Sequence, residues 1–246
     1  MSNRATETFD CVTRIARLAL PQHCELCVAD CGDELLCKPC IADLPRLPAA
    51  CQACALPISG GGLICGACLA HPPPWSRTVA AFVYAFPVDQ LLQQLKYRGR
   101  LALADWAGAA LADAVRASFA SRPPAERPDR IVALPLARSR QRNRGFNQAR
   151  EIGVRAARAV GLPLTTPLTR VADTTPQAAL PWAARASNVR GAFAVRGDVH
   201  GARIALIDDV MTTGATLTEA ARSLLRSGAA NVECWVVART LRSGDG

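Results

Sequence analysis

The sequence predicts an α/β fold in which a parallel sheet carries a ligand site, with a small cysteine-rich module ahead of it. Three observations predict this. From residue 130 onward, short apolar runs alternate with helical patterns, the order that builds parallel sheets. One stretch, Arg203 to Leu217, reads as a buried strand, an acid pair, a small-residue turn and a helix start. Eight of the eleven cysteines fall in four Cys-x-x-Cys pairs before residue 70.

The chain has 246 residues, half of them apolar, enough for one large or two modest domains. We place the boundary at the proline triplet, giving an N-terminal helix with a cysteine domain over residues 1–75 and an α/β domain over 76–246. The apolar stretch Phe9 to Leu20 is broken by Asp10, Arg14 and Arg17 and reads as a short amphipathic helix. No apolar run reaches about 18 residues, the usual minimum for a membrane span, and no cleavage pattern follows the N-terminal stretch. The expectation is a cytoplasmic protein without membrane insertion. The formal charge of +9 favours anionic partners, phosphates or nucleic acid. Nearly all of the positive charge is arginine, Lys38 and Lys96 being the lysines.

Cys24, Cys27, Cys37 and Cys40 form one unit, with nine residues between its pairs; Cys51, Cys54, Cys65 and Cys68 repeat it with ten. Two thiolates of a Cys-x-x-Cys knuckle reach one ion, and a second knuckle completes a tetrahedron with no open position, so each site is structural. The spacing predicts two zinc ribbons, each too small to fold without its ion. The knuckles are paired sequentially here; interleaved pairing is the alternative. Cys11, Cys31 and Cys234 are left over and read as small buried hydrophobes. His23, His71 and His200 read as surface or turn histidines. Pro72, Pro73 and Pro74 make a stiff linker.

In the second domain, Thr78 to Phe86 reads as a strand, Val88 to Tyr97 as a helix, and Leu101 to Phe119 as a long alanine-rich helix. Arg130 to Leu136 reads as a strand. It is followed by a loop rich in arginine (Arg138, Arg140, Arg142, Arg144) beyond the strand's carboxyl end, where open parallel sheets bind ligands. Guanidinium groups there would grip phosphate or single-stranded nucleic acid; a solvated charge run is the bland alternative. Asn147 to Val160 reads as a helix. Thr169 to Arg190 lacks periodicity and reads as a mobile cover. Ala192 to Val195 reads as a short strand, and Asn231 to Ala238 as the final buried one.

Within Arg203–Leu217, the apolar run Ile204 to Ile207 should end where Asp208 and Asp209 begin. Thr212, Thr213, Gly214, Ala215 and Thr216 then lead into a helix whose first N–H groups have no internal acceptor. The acids would repel a bare phosphate but accept hydrogen bonds from sugar hydroxyls. A ribose 5-phosphate satisfies both halves. The run closely resembles the 5-phosphoribosyl-1-pyrophosphate (PRPP) signature of type I phosphoribosyltransferases.

Taken with the knuckles, Leu95-Lys96-Tyr97, Pro135-Leu136, Arg144-Gly145-Phe146-Asn147-Gln148 and Gln177…Arg185…Asn188-Val189, the chain resembles the ComF competence-protein family, including its GntX-like members. That resemblance implies a double zinc ribbon joined to a parallel-sheet, type I phosphoribosyltransferase-like domain. It implies that Asp208 and Asp209, the residues assigned the catalytic role, hold the ribose hydroxyls, and that Thr212 to Thr216 hold the 5-phosphate. Arg138 would face the pyrophosphate, with Lys96, Arg144 and Arg185 as further contacts. The implied cofactors are two structural Zn²⁺ and Mg²⁺ with PRPP. The implied setting is DNA uptake or recombination, with single-stranded DNA and the proteins of those processes as partners. Whether PRPP is consumed by a transferase or only sensed is left open.

Overall fold

The computed structural model describes residues 23–58, 62–172 and 191–241. The chain divides into two compact units, Met1–Leu44 and Pro45–Gly246. The second cysteine group therefore belongs to the larger unit, together with the sheet, although the proline triplet follows it in sequence.

In the smaller unit, Cys24 N–H donates to Ala29 O and Val28 N–H to Cys24 O, closing a tight knuckle. Helix α1 (Lys38–Ala42) begins at Cys37, with Pro39 in its first turn where a missing N–H costs nothing. The larger unit opens with the same construction. Cys51 N–H donates to Leu56 O and Ala55 N–H to Cys51 O, and α2 (Gly66–Ala70) begins at Cys65. Even the backbone strain is repeated: Val28 and Ala55 are both left-handed, at φ 63° and 56°.

The main sheet has five parallel strands in the order β1-β7-β6-β2-β3. These are β1 (Arg77–Val83), β2 (Arg130–Ala133), β3 (Leu164–Thr165), β6 (Arg203–Met211) and β7 (Asn231–Arg239). Two shorter strands, β4 (Leu168–Arg170) and β5 (Phe193–Val195), pair antiparallel beside it. Central β6 and β7 are apolar almost without interruption because both of their faces are covered. Buried Ile204 and Leu206 of β6 share a core with Leu217, Ala220, Ala221 and Leu224 of helix α7 (Ala215–Arg226).

On the other face lie α4 (Ala102–Ala120) and α6 (Gln148–Val160), reached through α3 (Val88–Arg98) and α5 (Arg138–Arg144). The two long helices meet at Gly108 of α4, which lies against Ile152, Arg155 and Ala156 of α6. A Cβ on Gly108 would lie 2.5 Å from Arg155 Cβ and 3.1 Å from Ile152 O. Gly108→Ala should therefore destabilise the protein by about 2–3 kcal/mol, since overpacking outweighs the roughly 1 kcal/mol gained in helix propensity. Urea unfolding should show the midpoint falling at unchanged slope; an unchanged midpoint would mean that the two helices do not cross there.

Three expectations need correction. The arginine-rich segment is a helix, α5, rather than a loop. Arginine and glutamine are good helix formers, and Gly145 ends the helix in the left-handed conformation at φ 80°. Strand β6 does not stop before the acid pair but runs to Met211, because nine-residue β7 pairs alongside it through Asp208↔Val236, Val210↔Ala238 and Met211↔Arg239. Cys31 is partly exposed, its Sγ donating to Glu34 O at 2.9 Å, whereas Cys234 is fully buried as expected. The predicted N-terminal helix, Cys11, and the part of the predicted cover from residue 173 to 190, with Gln177, Arg185 and Asn188, lie outside the described residues. Among the described residues no helix is long and apolar enough to cross a membrane.

Candidate functional site

At the carboxyl ends of β2 and β6, β2 stops at Ala133 opposite Ile207, and Leu134 N–H makes a last bond to Ile207 O at 2.9 Å. Beyond that point β6 continues with β7 on one flank and without β2 on the other. The flank that β2 leaves opens onto a cavity of about 490 Å³. Its lining includes Asp208 and Asp209, the run Thr212 to Thr216, Lys96, Tyr97, Arg140, Arg144 and Arg170.

Because side chains alternate along a strand, Asp208 emerges on the Leu206 face and Asp209 on the Ile207 face. Asp209 is 4% exposed and meets the Lys96 ammonium, from the last turn of α3, at 3.2 Å. Burial alone would raise the Asp209 pKa. The Lys96 charge, a hydrogen bond from Asp208 and the Val210 N–H outweigh that and hold it below the usual carboxylate value. Asp208 is pushed well above that value, first by burial and then by the charge of Asp209. Its Oδ1 accepts from Asp209 N–H at 2.9 Å. Lys96 is raised, chiefly by Asp209. The pair thus separates into one carboxylate held by a cation and one that is costly to ionise without a ligand.

The turn after β6 is built for close approach. Gly214 sits at φ 77°, and a Cβ there would come within 3.2 Å of the Trp75 ring. It precedes α7, whose first N–H groups face outward by helix geometry. The Thr213 hydroxyl accepts from Ala215 N–H at 3.2 Å, which orders the turn.

The Arg144–Gln148 stretch has a mechanical reading. Gly145 ends α5, and Asn147 caps α6 by accepting from Arg150 N–H at 3.3 Å while donating to Leu134 O at 3.0 Å. Arg144 donates to Gln148, and its guanidinium lies 5.6 Å from the centre of the Tyr97 ring. Helical spacing puts Arg140 and Arg144 together on the cavity side. Arg138 and Arg142 are exposed and do not line the cavity. Of the four arginines that the sequence offers for phosphate, the resemblance points to Arg138 and Arg144, whereas the i, i+4 relation within a helix pairs Arg140 with Arg144. Arg170 was missed, and no local pattern marks it.

The metal candidates form two groups, Cys24, Cys27, Cys37, Cys40 and Cys51, Cys54, Cys65, Cys68, with the sulfurs of each group all within 4.8 Å of one another. The knuckles are thus paired sequentially. The third cysteine of each unit donates its N–H to the sulfur of the first, Cys37 to Cys24 at 3.4 Å and Cys65 to Cys51 at 3.3 Å. Four sulfurs converging on one point with N–H donors behind them fit a tetrahedral thiolate site for Zn²⁺. His23 pairs instead with Asp30 at 3.1 Å.

A family model described as a phosphoribosyl transferase domain matches residues 154–244. DNA utilization protein YhgH of Salmonella typhimurium (strain LT2) is 36% identical over 207 residues, covering 84% of this chain and 91% of that protein. Competence protein F of Haemophilus influenzae is 31% identical over 212 residues, covering 83% and 90%. A purine phosphoribosyltransferase from Pyrococcus horikoshii is 22% identical over 55% of this chain and 71% of that one, with a TM-score of 0.32, too slight to bear on the site.

Proposed function

The chain belongs to the ComF competence-protein family, and from that premise we propose that it binds PRPP with Mg²⁺ and transfers the phosphoribosyl group with release of pyrophosphate, in the service of DNA uptake. The observation that carries the reading is the meeting, in one cavity, of an acid pair, a glycine turn at a helix N-terminus and the arginines of α5. The carboxylates of Asp208 and Asp209 are suited to the ribose 2- and 3-hydroxyls. The turn Thr212–Thr216 is suited to the 5-phosphate, where N–H groups and hydroxyls converge without a side chain on Gly214. Arg140 and Arg144 supply charge for the pyrophosphate, with Lys96 close by.

The ligand also accounts for the cost built into Asp208. A hydroxyl donor or a cation beside it offsets the burial that raises its pKa. Carboxylate oxygens are ligands of the kind Mg²⁺ prefers, and the ion, arriving with PRPP, would neutralise pyrophosphate charge. In transfer, the bond from C1 to the pyrophosphate oxygen breaks with its electrons on oxygen. A nucleophile closes a new bond to C1 and loses its proton. The protein's share is to position the sugar, stabilise the leaving charge with arginine and exclude water.

A second reading keeps the ligand and drops the chemistry: a PRPP-sensing module that handles single-stranded nucleic acid. The observation favouring it is Tyr97, which is 70% exposed at the cavity's edge with Arg144 beside its ring. Such a surface suits a stacked base. The setting in DNA uptake, and partners among DNA-uptake or recombination proteins, follow the names of the relatives. The two ribbons would end at residue 75, the boundary proposed between them and the α/β domain.

Calorimetric titration of PRPP with Mg²⁺ into the full-length protein tests the shared claim. Saturable binding is expected, and its absence would overturn both readings. Pyrophosphate release with a panel of bases then separates them: binding without release leaves the sensor.

A further inference from the structure

The second cysteine group and the phosphate turn are joined by two buried side chains, Arg239 and Trp75. Arg239, the last residue of β7, is 5% exposed. Its Nε donates to the carbonyl of Cys54 at 2.7 Å. Its Nη1 donates to Met211 O at 2.9 Å and also reaches Thr212 O. One planar cation therefore holds the backbone of a metal knuckle on one side and the start of the ribose-phosphate turn on the other. Trp75 repeats the connection by packing. Its indole N–H donates to Ala53 O at 2.6 Å, inside the same Cys-x-x-Cys knuckle. Its ring lies against Gly214, the left-handed hinge of the turn. Thr78 Oγ1 donates to that same Ala53 carbonyl, also at 2.6 Å, tying the knuckle to β1.

We infer that Arg239 and Trp75 are positioning residues for the phosphate turn, and that the metal held by Cys51, Cys54, Cys65 and Cys68 is a structural part of the ligand site. The inference rests on the ribose-phosphate reading of the turn. The physical reason is rigidity. The carbonyls of Ala53 and Cys54 lie within a five-residue knuckle whose shape depends on two thiolates sharing one ion. Fixing those carbonyls fixes the guanidinium and the indole, and these fix Met211, Thr212 and Gly214. Without the ion, the anchor moves and the turn loses its backing. Linkage makes the effect reciprocal, so a ligand that orders the turn must oppose loss of the ion by the same factor. A lysine could reach one side of the bridge but not both, because the span needs the planar fork of arginine.

The test uses the zinc-loaded full chain and two variants, Arg239→Gln and Trp75→Phe, each with its zinc content measured. Hydrogen exchange at residues 212–217 reads the positioning directly. Exchange should speed up in both variants, more in Arg239→Gln, while two zinc ions per chain remain. PRPP should bind about tenfold more weakly to Arg239→Gln, the scale of one lost charge-assisted hydrogen bond. PRPP should also slow chelator release of one of the two ions in the wild type, and less so in the variant. Unchanged exchange and affinity in variants that retain both ions would overturn the inference. Faster exchange in the variants, together with a wild type that does not bind PRPP, would remove the ribose-phosphate reading and leave the positioning role standing. If Arg239→Gln does not fold, Trp75→Phe carries the comparison, since it removes both the donor to Ala53 and the indole edge that lies against Gly214 while keeping an aromatic side chain.

Discussion

Asp209→Asn should cost about 2 kcal/mol of stability at neutral pH and abolish PRPP binding, whereas Asp208→Asn should abolish binding while making the unliganded protein more stable. The two carboxylates are neighbours in sequence, yet their environments oppose each other. Removing the charge of Asp209 strands the Lys96 ammonium, whose side chain is 29% exposed, so the loss falls below that of a fully buried pair. Removing the charge of Asp208 relieves burial and repulsion. An amide in its place can still accept from Asp209 N–H and donate to the Asp209 carboxylate.

Dependence on pH separates the two roles. The folded-state pKa of Asp209 lies below the unfolded value of about 3.9. Its stabilisation is therefore present at neutral pH and is lost as the pH falls through that depressed value. Asp208 is raised, so its contribution is fully present below about 3.9 and is lost as the pH rises through its folded value. Urea midpoints for wild type and Asp208→Asn should converge towards pH 4 and part as the pH rises. Parallel curves across that range would refute the assignment.

Metal removal should have the larger effect on folding. Two zinc ions per chain are expected by elemental analysis, and fewer than one would refute the paired ribbons. Structural zinc contributes on the order of 10 kcal/mol per site in small domains at neutral pH, more than the second cysteine group and its short segment could supply by packing. Its buried apolar cluster is little more than Cys51, Ala53 and Cys68, with Ile58 and Ile64 at the edge. Stripping the ions with a strong chelator should therefore lower the thermal midpoint sharply, and zinc but not magnesium should restore it. Acid should do the same, because protons compete for the thiolates. A chelated protein that melts like the loaded one would refute the structural role.

Much of this arrangement was legible in the sequence where chemistry and position coincide. The knuckles announce themselves because metal geometry demands a fixed local spacing. The stretch Arg203–Leu217 does so because a buried strand is apolar and a helix N-terminus needs small polar residues. Other features were hidden for identifiable reasons. Helix α5 carries no apolar periodicity, so its arginines resembled a loop, and with the helix went the pairing of Arg140 with Arg144. Aspartate is a poor strand former, so β6 seemed to end at Ile207; the partner that carries it to Met211 is β7, more than twenty residues further on. Nothing near residue 75 or residue 239 hints that both converge on the turn at residue 212, since contacts of that range exist only in the fold.

The nine-residue β6 carries a consequence for how charge is sorted at the site. A strand has only two faces, and neighbouring residues must take opposite ones. Sliding β6 by a single position against β7 would exchange the partners of the two acids, giving Lys96 to the wrong carboxylate and leaving the other bare. The surroundings of each acid are thus a property of strand alignment, held by the ladder from Arg203↔Asn231 to Met211↔Arg239. Substitutions far from the cavity that loosen that ladder would be read at the site as a change in acidity.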